Sequence, residues 1–237
     1  MKTRTKTTLL AALCTALIIF AGFHPKANRS NSNHSMPGPS FAQEVYSQIT
    51  ASGVQLSEEL FKLALMGFEK LNAQGRLSRD SILTMIDFTK SSKEKRMFVV
   101  DLKSRQLLYY TVVAHGRNTG EEYARRFSNT ASSHQSSLGF YITGNPYNGS
   151  NGYSLTLEGV EKGFNDKAKE RAIVVHGAAY ASESSIGTKG YLGRSFGCPS
   201  LPPDINNQVI NRIKKGNCLF IYYPDNHYLN HSVLLNG

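Results

Sequence analysis

His176 ends a short apolar run, Ala172-Ile173-Val174-Val175, and Cys198 follows Gly197 in a loop rich in Ser and Gly. Together they are the parts of a thiol nucleophile: a free thiol is mostly protonated near neutral pH, and an adjacent imidazole accepts the proton and leaves a thiolate. Gly197 permits backbone geometry that other residues resist, and the N–H groups of Gly197 and Cys198 are candidates to hold a developing oxyanion. Gly177, directly after the histidine, has no side chain, so its backbone carbonyl is the candidate group to orient the imidazole. The competing reading is a small buried core cysteine. The neighbours of Cys198 are Ser195, Gly197, Arg194 and Pro199, which describe a shaped loop instead of a core strand.

Other polar stretches sit where strands end. His115-Gly116-Arg117-Asn118 closes an apolar run much as His176-Gly177 does, so His115 and Asn118 are candidates for substrate contact or for support of the cysteine loop; a capped strand end is the plainer reading. A long Ser-rich loop including Ser128, Asn129, His134 and Ser137 has the length of a binding loop or lid. Arg194 and Ser195 precede the cysteine turn, and the planar fork of Arg194 suits a substrate carboxylate, against the alternative of an ordinary surface arginine. His134, His227 and His231 show no metal-ligand spacing, so no metal and no cofactor are expected.

The residues His176-Gly177 and Gly193-Arg194-Ser195-Phe196-Gly197-Cys198-Pro199-Ser200-Leu201 resemble the signature of the murein L,D-transpeptidase catalytic domain family. Stretches 97–120, 127–143 and 153–180 are similar to that family's core blocks, so the likeness covers most of the chain after about residue 45. In the commoner pattern a second histidine stands two positions before the cysteine; Phe196 occupies that place here, and the gap from His176 to Cys198 is slightly longer. The resemblance therefore implies a divergent branch, with a β-sandwich-like catalytic fold and a few helices. It also implies acyl transfer on peptidoglycan stem peptides: Cys198 attacks a tetrapeptide stem, releases D-alanine and leaves a thioester. The acyl group then passes to a second stem amine, or to water.

The elements that must position these residues follow from periodicity. Over 57–74 the apolar residues Leu60, Leu63, Ala64, Gly67, Phe68 and Leu71 recur at helical spacing, with Ser57 as N-cap, Glu58 and Glu59 in the first turn and Gly75 as the stop. β-type runs follow at 82–88 (alternating), 97–102, 106–114, 139–143, 154–157, 172–176 and 218–223, separated by turn residues. Helical patterns are read at 165–171 and 204–215. The fold class is thus mainly β, with the front helix packed on one side and a polar tail at the end.

Residues 1–23 place positive side chains ahead of an apolar run from Leu9 to Phe23, the pattern of a secretory signal peptide or signal anchor. Residues 24–42 are Ser, Asn and Pro rich and read as a disordered linker holding His24 and His34, followed by a helical segment at 43–80 and the catalytic domain at 81–237. Leu13 before Cys14 is bulky where a lipoprotein signal takes a small residue. The chain of 237 residues has 40% hydrophobic content, enough for one domain with a core. Residues 1–42 hold Lys2, Arg4, Lys6, Lys26 and Arg29 and no acid, leaving a net of +5 beyond them. That modest excess suits an anionic envelope polymer, and export to the periplasm or cell envelope removes nucleic acid as a partner. Membrane attachment is expected only through an uncleaved signal, and the protein is read as a monomer. Cys218 lies in a strand-like run, so a core thiol is favoured over a bridge to Cys198. Rival functions are a hydrolase on the same substrate, a sortase, for which no Thr-Leu-x-Thr-Cys turn is present, and a non-catalytic wall-binding protein with an unreactive Cys198.

Overall fold

The computed structural model describes residues 39–78 and 81–237. The signal segment with Cys14, and linker residues 24–38 with His24 and His34, lie outside the described residues. Two helices, α1 (Pro39–Thr50) and α2 (Glu58–Ala73), precede strands β1 (Ile82–Asp87), β2 (Met97–Asp101), β3 (Gln106–Thr111), β4 (Gly139–Gly149), β5 (Gly152–Gly159) and β6 (Val174–Gly177). A 3-10 turn (Ala179–Ala181) and α3 (Glu183–Lys189) lead to β7 (Ser200–Leu201), α4 (Pro203–Ile213), β8 (Cys218–Tyr222), α5 (Asn226–His231) and α6 (Val233–Asn236). Among the described residues the strands form one eight-stranded sheet in the order β3-β2-β1-β8-β4-β5-β6-β7. The β1–β8 and β6–β7 pairs are parallel and the others antiparallel. The mainly-β reading therefore holds.

Helix α2 forms where its periodicity places it. Ser57 Oγ accepts the Leu60 N–H at 3.3 Å, and Glu58 and Glu59 occupy the positive end of the helix dipole. At the other end Gly75, at φ +66°, donates its N–H to Asn72 O, and Arg76 N–H reaches Leu71 O, the paired bonds of a Schellman stop. The buried face, Leu60, Ala64, Gly67, Phe68 and Leu71, lies on the sheet. At Gly67 the approach is so close that a Cβ would come within 2.1 Å of the Phe140 ring. Helices α1 and α2 share the sheet's core, and α1 starts at Pro39, inside the stretch read as linker.

The covering also explains β1. Its residues are buried on both faces, so the alternation read over 82–88 does not appear as exposure. Residues 165–171 form turns instead of a helix. Asn165 spends its side chain on Leu138 O (3.0 Å), Phe140 O (2.9 Å) and the Glu161 N–H (3.0 Å), and Asp166 takes the Gly163 N–H (2.7 Å). Such side chains offer the backbone an alternative to helix. The polar tail folds as α5 and α6 around a buried carboxylate: Glu161 accepts from Phe140 N–H (2.8 Å), Tyr228 Oη (2.8 Å) and Ser232 Oγ.

Candidate active site

β6 carries His176 next to β7, whose Ser200 is its register partner. The connection between these parallel strands leaves the sheet after Gly177 and packs Ala181 and Leu192 against Val112 and Ala114. It contains α3, which the sequence reading took as loop although Glu183 at its head, Lys189 in its last turn and the left-handed Gly190 (φ +80°) are helix signals. The chain then returns through Arg194 to Cys198 and enters β7.

The turn before β7 is bolted from several sides. Ser195 donates its N–H to His115 O (2.9 Å), accepts the Arg117 N–H at its carbonyl (2.8 Å), and donates Oγ–H to Cys198 O (2.7 Å). Gly197 stands at φ +127°, and a Cβ there would lie 2.7 Å from Gln135 O and 2.9 Å from Ile173 Cδ1. Only glycine meets both demands. Its carbonyl accepts from Ser136 Oγ at 3.0 Å and its N–H donates to Ser195 Oγ at 3.0 Å. The Gly197 N–H is thus already engaged, whereas the Cys198 N–H makes no hydrogen bond to another residue among the described residues.

Cys198 is half-buried. Its Sγ receives the Val174 N–H at 3.5 Å and faces Ala172 O at 3.7 Å; Ala172 itself is held in the left-handed region at φ +52°. Burial pushes the thiol up from its ordinary value, while the Val174 N–H and the Arg171 charge pull it down. Arg171 is anchored to the Ser-rich loop by Ser128 O (2.7 Å), Ser137 Oγ (2.5 Å), Ser133 Oγ (3.2 Å) and Gln135 O (2.6 Å).

His176 is buried, and burial lowers its pKa, an effect opposed by the Gly177 carbonyl, so the ring is neutral near pH 7. Its Nδ1 lies 3.0 Å from Gly177 O. Its Nε2 lies 3.0 Å from Ser200 Oγ, which in turn lies 3.0 Å from Tyr180 Oη. The hydrogen bonds of His176 and Cys198 thus run to different partners, Ser200 and the Ala172–Val174 backbone.

Several expected substrate contacts have other work. His115 is buried; its Nδ1 meets Arg96 Nη2 at 2.8 Å and its Nε2 faces Gly120 O at 3.3 Å. Burial first, then the Arg96 charge, pushes it down to about 3. It supports the cysteine loop through its carbonyl and does not face solvent. Ser137 is buried, donating to Ser128 O at 2.8 Å and receiving Arg171. Asn118 is exposed, with Nδ2 on Ser133 O at 2.8 Å. Arg194 points to Gly120 O (3.3 Å) and Glu121 (4.0 Å). Phe196, in the place of the second histidine, is 63% exposed, stacks on His134 at 4.4 Å and carries the Arg117 guanidinium at 4.9 Å. Cys198 and Cys218 are both free thiols. Sequence reasoning missed Arg171, Ser200 and Tyr180. Ser200, two positions after the cysteine in the same polar stretch, was the most readable of them.

The cysteine on its glycine-locked turn and the neutral histidine on β6 both fall within residues 52–222, a region that matches the family model described as the L,D-transpeptidase catalytic domain. The chain belongs to that family. The matched region begins ahead of α2, so it includes that helix with the sheet. Among solved structures the chain is similar to an L,D-transpeptidase from Mycobacterium smegmatis (13% identity, 60% of this chain and 59% of that one, TM-score 0.37). It is also similar to L,D-transpeptidase (Yku) from Stackebrandtia nassauensis (12%, 77% and 76%, 0.37). A third similar structure is the helical cell shape determining protein Pgp2 from Campylobacter jejuni (11%, 67% and 54%, 0.41). The chain spans about three fifths of the length of the first of these. No curated protein matches the chain.

Proposed function

We propose that this chain is an exported cysteine acyl-transferase acting on peptidoglycan stem peptides, with Cys198 as nucleophile and His176 as general base. The observation that carries the reading is a rigidly held, half-buried Cys198 on the turn entering β7 and a neutral His176, fixed at both nitrogens, on the paired strand β6, within a catalytic-domain family match. In this reading the Cys198 side chain leaves its resting contact with Ala172 O and gives its proton to His176 Nε2 as Sγ attacks the stem carbonyl. The Cys198 N–H holds the oxyanion; the Gly197 N–H, bound to Ser195 Oγ, shapes the turn. The C–N bond to D-alanine breaks, the departing amine takes the proton from His176, and a thioester remains on Cys198. A second stem amine then attacks the thioester, giving a new amide and returning the thiol.

Arg171 is the cation whose charge favours the thiolate in this mechanism, and the exposed Phe196–Arg117 surface together with Asn118 forms the substrate side of the site. Residues 1–23 serve as the export signal and the residues ahead of α1 as a tether, with the protein a monomer in the cell envelope. Incubating the full chain with a tetrapeptide muropeptide and separating the products tests the assignment. Cross-linked dimer plus D-alanine, absent with Cys198→Ser, is the expected result. Tripeptide without dimer would reassign the protein as a hydrolase, and no product would move it to wall binding.

A further inference from the structure

One carbonyl fixes the direction of a whole hydrogen-bond chain at His176. Gly177 O can only accept, so Nδ1, 3.0 Å away, carries the ring proton. In the neutral ring Nε2 is then an acceptor, and the Ser200 hydroxyl 3.0 Å from it must donate. With its proton so committed, Ser200 Oγ is free to accept from Tyr180 Oη, also at 3.0 Å. Burial keeps the Tyr180 phenol protonated by pushing it up from its ordinary value.

Both hydroxyls stand on fixed backbone. Ser200 is fully buried and exchanges bonds with Ala114, N–H to carbonyl, at 2.9 and 3.4 Å. The Tyr180 carbonyl accepts the Gly193 N–H (2.8 Å) and Ser185 Oγ (2.8 Å), and Gly193 packs so closely that a Cβ there would lie 2.4 Å from Tyr180 Cβ. The titratable and charged groups near this chain are Cys198 on the loop entering β7, Tyr180 itself, and Arg171 ahead of β6.

We propose that Ser200 and Tyr180 are positioning residues for His176: their hydroxyl chain holds the Nδ1–H tautomer at rest by occupying Nε2, and frees that lone pair when Ser200 turns its hydrogen toward Tyr180 Oη as the Cys198 proton arrives. The inference rests on the catalytic reading of His176 given above. A base that becomes an acid needs a neighbour compatible with both of its states. Nε2 has one lone pair, so Ser200 must turn its hydrogen toward Tyr180 Oη before Nε2 takes the Cys198 proton; the new N–H then donates to Ser200 Oγ until the proton is passed to the departing amine. Tyr180, half-buried, then directs its hydrogen to solvent. A carboxylate in the place of Ser200 would favour the imidazolium and remove the base at neutral pH. An apolar residue would leave the buried Nε2 without a partner and free the ring to change tautomer.

The test uses the full chain and the variants Tyr180→Phe and Ser200→Ala. Nitrogen-15 NMR of His176 reads the tautomer and titration, and iodoacetamide alkylation of Cys198 across pH reads base strength. In the wild type the Nδ1–H tautomer is expected. Tyr180→Phe, which removes one hydroxyl and keeps the ring, takes away the oxygen to which the Ser200 hydrogen turns, so Nε2 stays occupied and alkylation at pH 7 should slow about three- to tenfold, the range one neutral hydrogen bond sets. Ser200→Ala leaves Nε2 open but removes the hydroxyl that fixes the ring, and should give mixed tautomers. An Nε2–H tautomer in the wild type overturns the proposal. So do folded variants whose His176 signals and alkylation profile match the wild type. If Ser200→Ala does not fold, the wild-type tautomer and Tyr180→Phe decide the matter. Thioester formation with a tetrapeptide is scored separately: its absence in a wild type with the expected tautomer and variant effects refutes the substrate assignment and leaves the positioning role standing.

Discussion

Replacing Gly197 with Ala puts a methyl group between the two walls of the cysteine turn. At φ +127° an L side chain is strained, a cost of about 1–3 kcal/mol for a sparsely populated backbone region. The methyl would also sit 2.7 Å from Gln135 O and 2.9 Å from Ile173 Cδ1. The first is backbone of a loop that Arg171 holds by several bonds, so little can yield, and overpacking adds about 1–3 kcal/mol. A total of about 2–6 kcal/mol lowers the melting temperature by roughly 5–20 °C for a domain of this size. Relief comes only by lifting the 194–198 turn off the 133–136 loop, which breaks the Ser136 Oγ to Gly197 O bond and displaces Cys198. Thermal melting followed by circular dichroism, hydrogen exchange on the two loops, and the rate of Cys198 alkylation read these effects together. A Gly197→Ala protein that melts within about 1 °C of the wild type, with the same loop protection and alkylation rate, would refute the reasoning, since the strain and overlap above predict several degrees.

Arg171→Gln removes the cation that pulls the Cys198 thiol down, so the pH midpoint of alkylation should move up; it should also cost about 2–4 kcal/mol by loosening the Ser-rich loop, as charged hydrogen bonds do. An unchanged midpoint would remove Arg171 from the thiol's environment. His115 is held neutral, pushed down to about 3, while the unfolded chain titrates near the ordinary value of about 6.5, so below that pH the unfolded state binds the extra proton. Its stabilisation is complete above about pH 6.5 and is lost as pH falls toward the folded value; His176 shifts in the same direction. Melting temperature should fall between pH 7 and about 5, above most carboxylate titration, and His115→Gln should flatten that slope. Equal slopes would count against a neutral buried His115.

The sequence made legible what depends on local pattern. Helix α2 was readable because its cap, acidic first turn, apolar spacing and terminal glycine all agree. The strand runs were readable from their apolar content, and the Gly177 carbonyl was a readable candidate for the contact with the imidazole, because Gly177 has no side chain to compete with it. What was not readable depends on partners distant in the chain. β7 has only two residues, and its pairing is set by β6 and Ala114. The tail at α5 and α6 is polar because its anchor is a hydrogen-bonded carboxylate, Glu161, and not an apolar face alone. Arg194 beside the cysteine drew attention by proximity in sequence, yet Arg171, 27 positions before Cys198, is the arginine whose charge acts on the thiol.

The most direct measurement is intact-mass analysis of the full chain mixed with a purified tetrapeptide muropeptide, with Cys198→Ala in parallel. The expected result is a mass gain equal to the muropeptide less D-alanine on the wild type, matched by free D-alanine and absent from the variant. Folded wild type with a reduced thiol that gains no mass and releases no D-alanine would contradict the assignment of Cys198 as an acyl-transfer nucleophile.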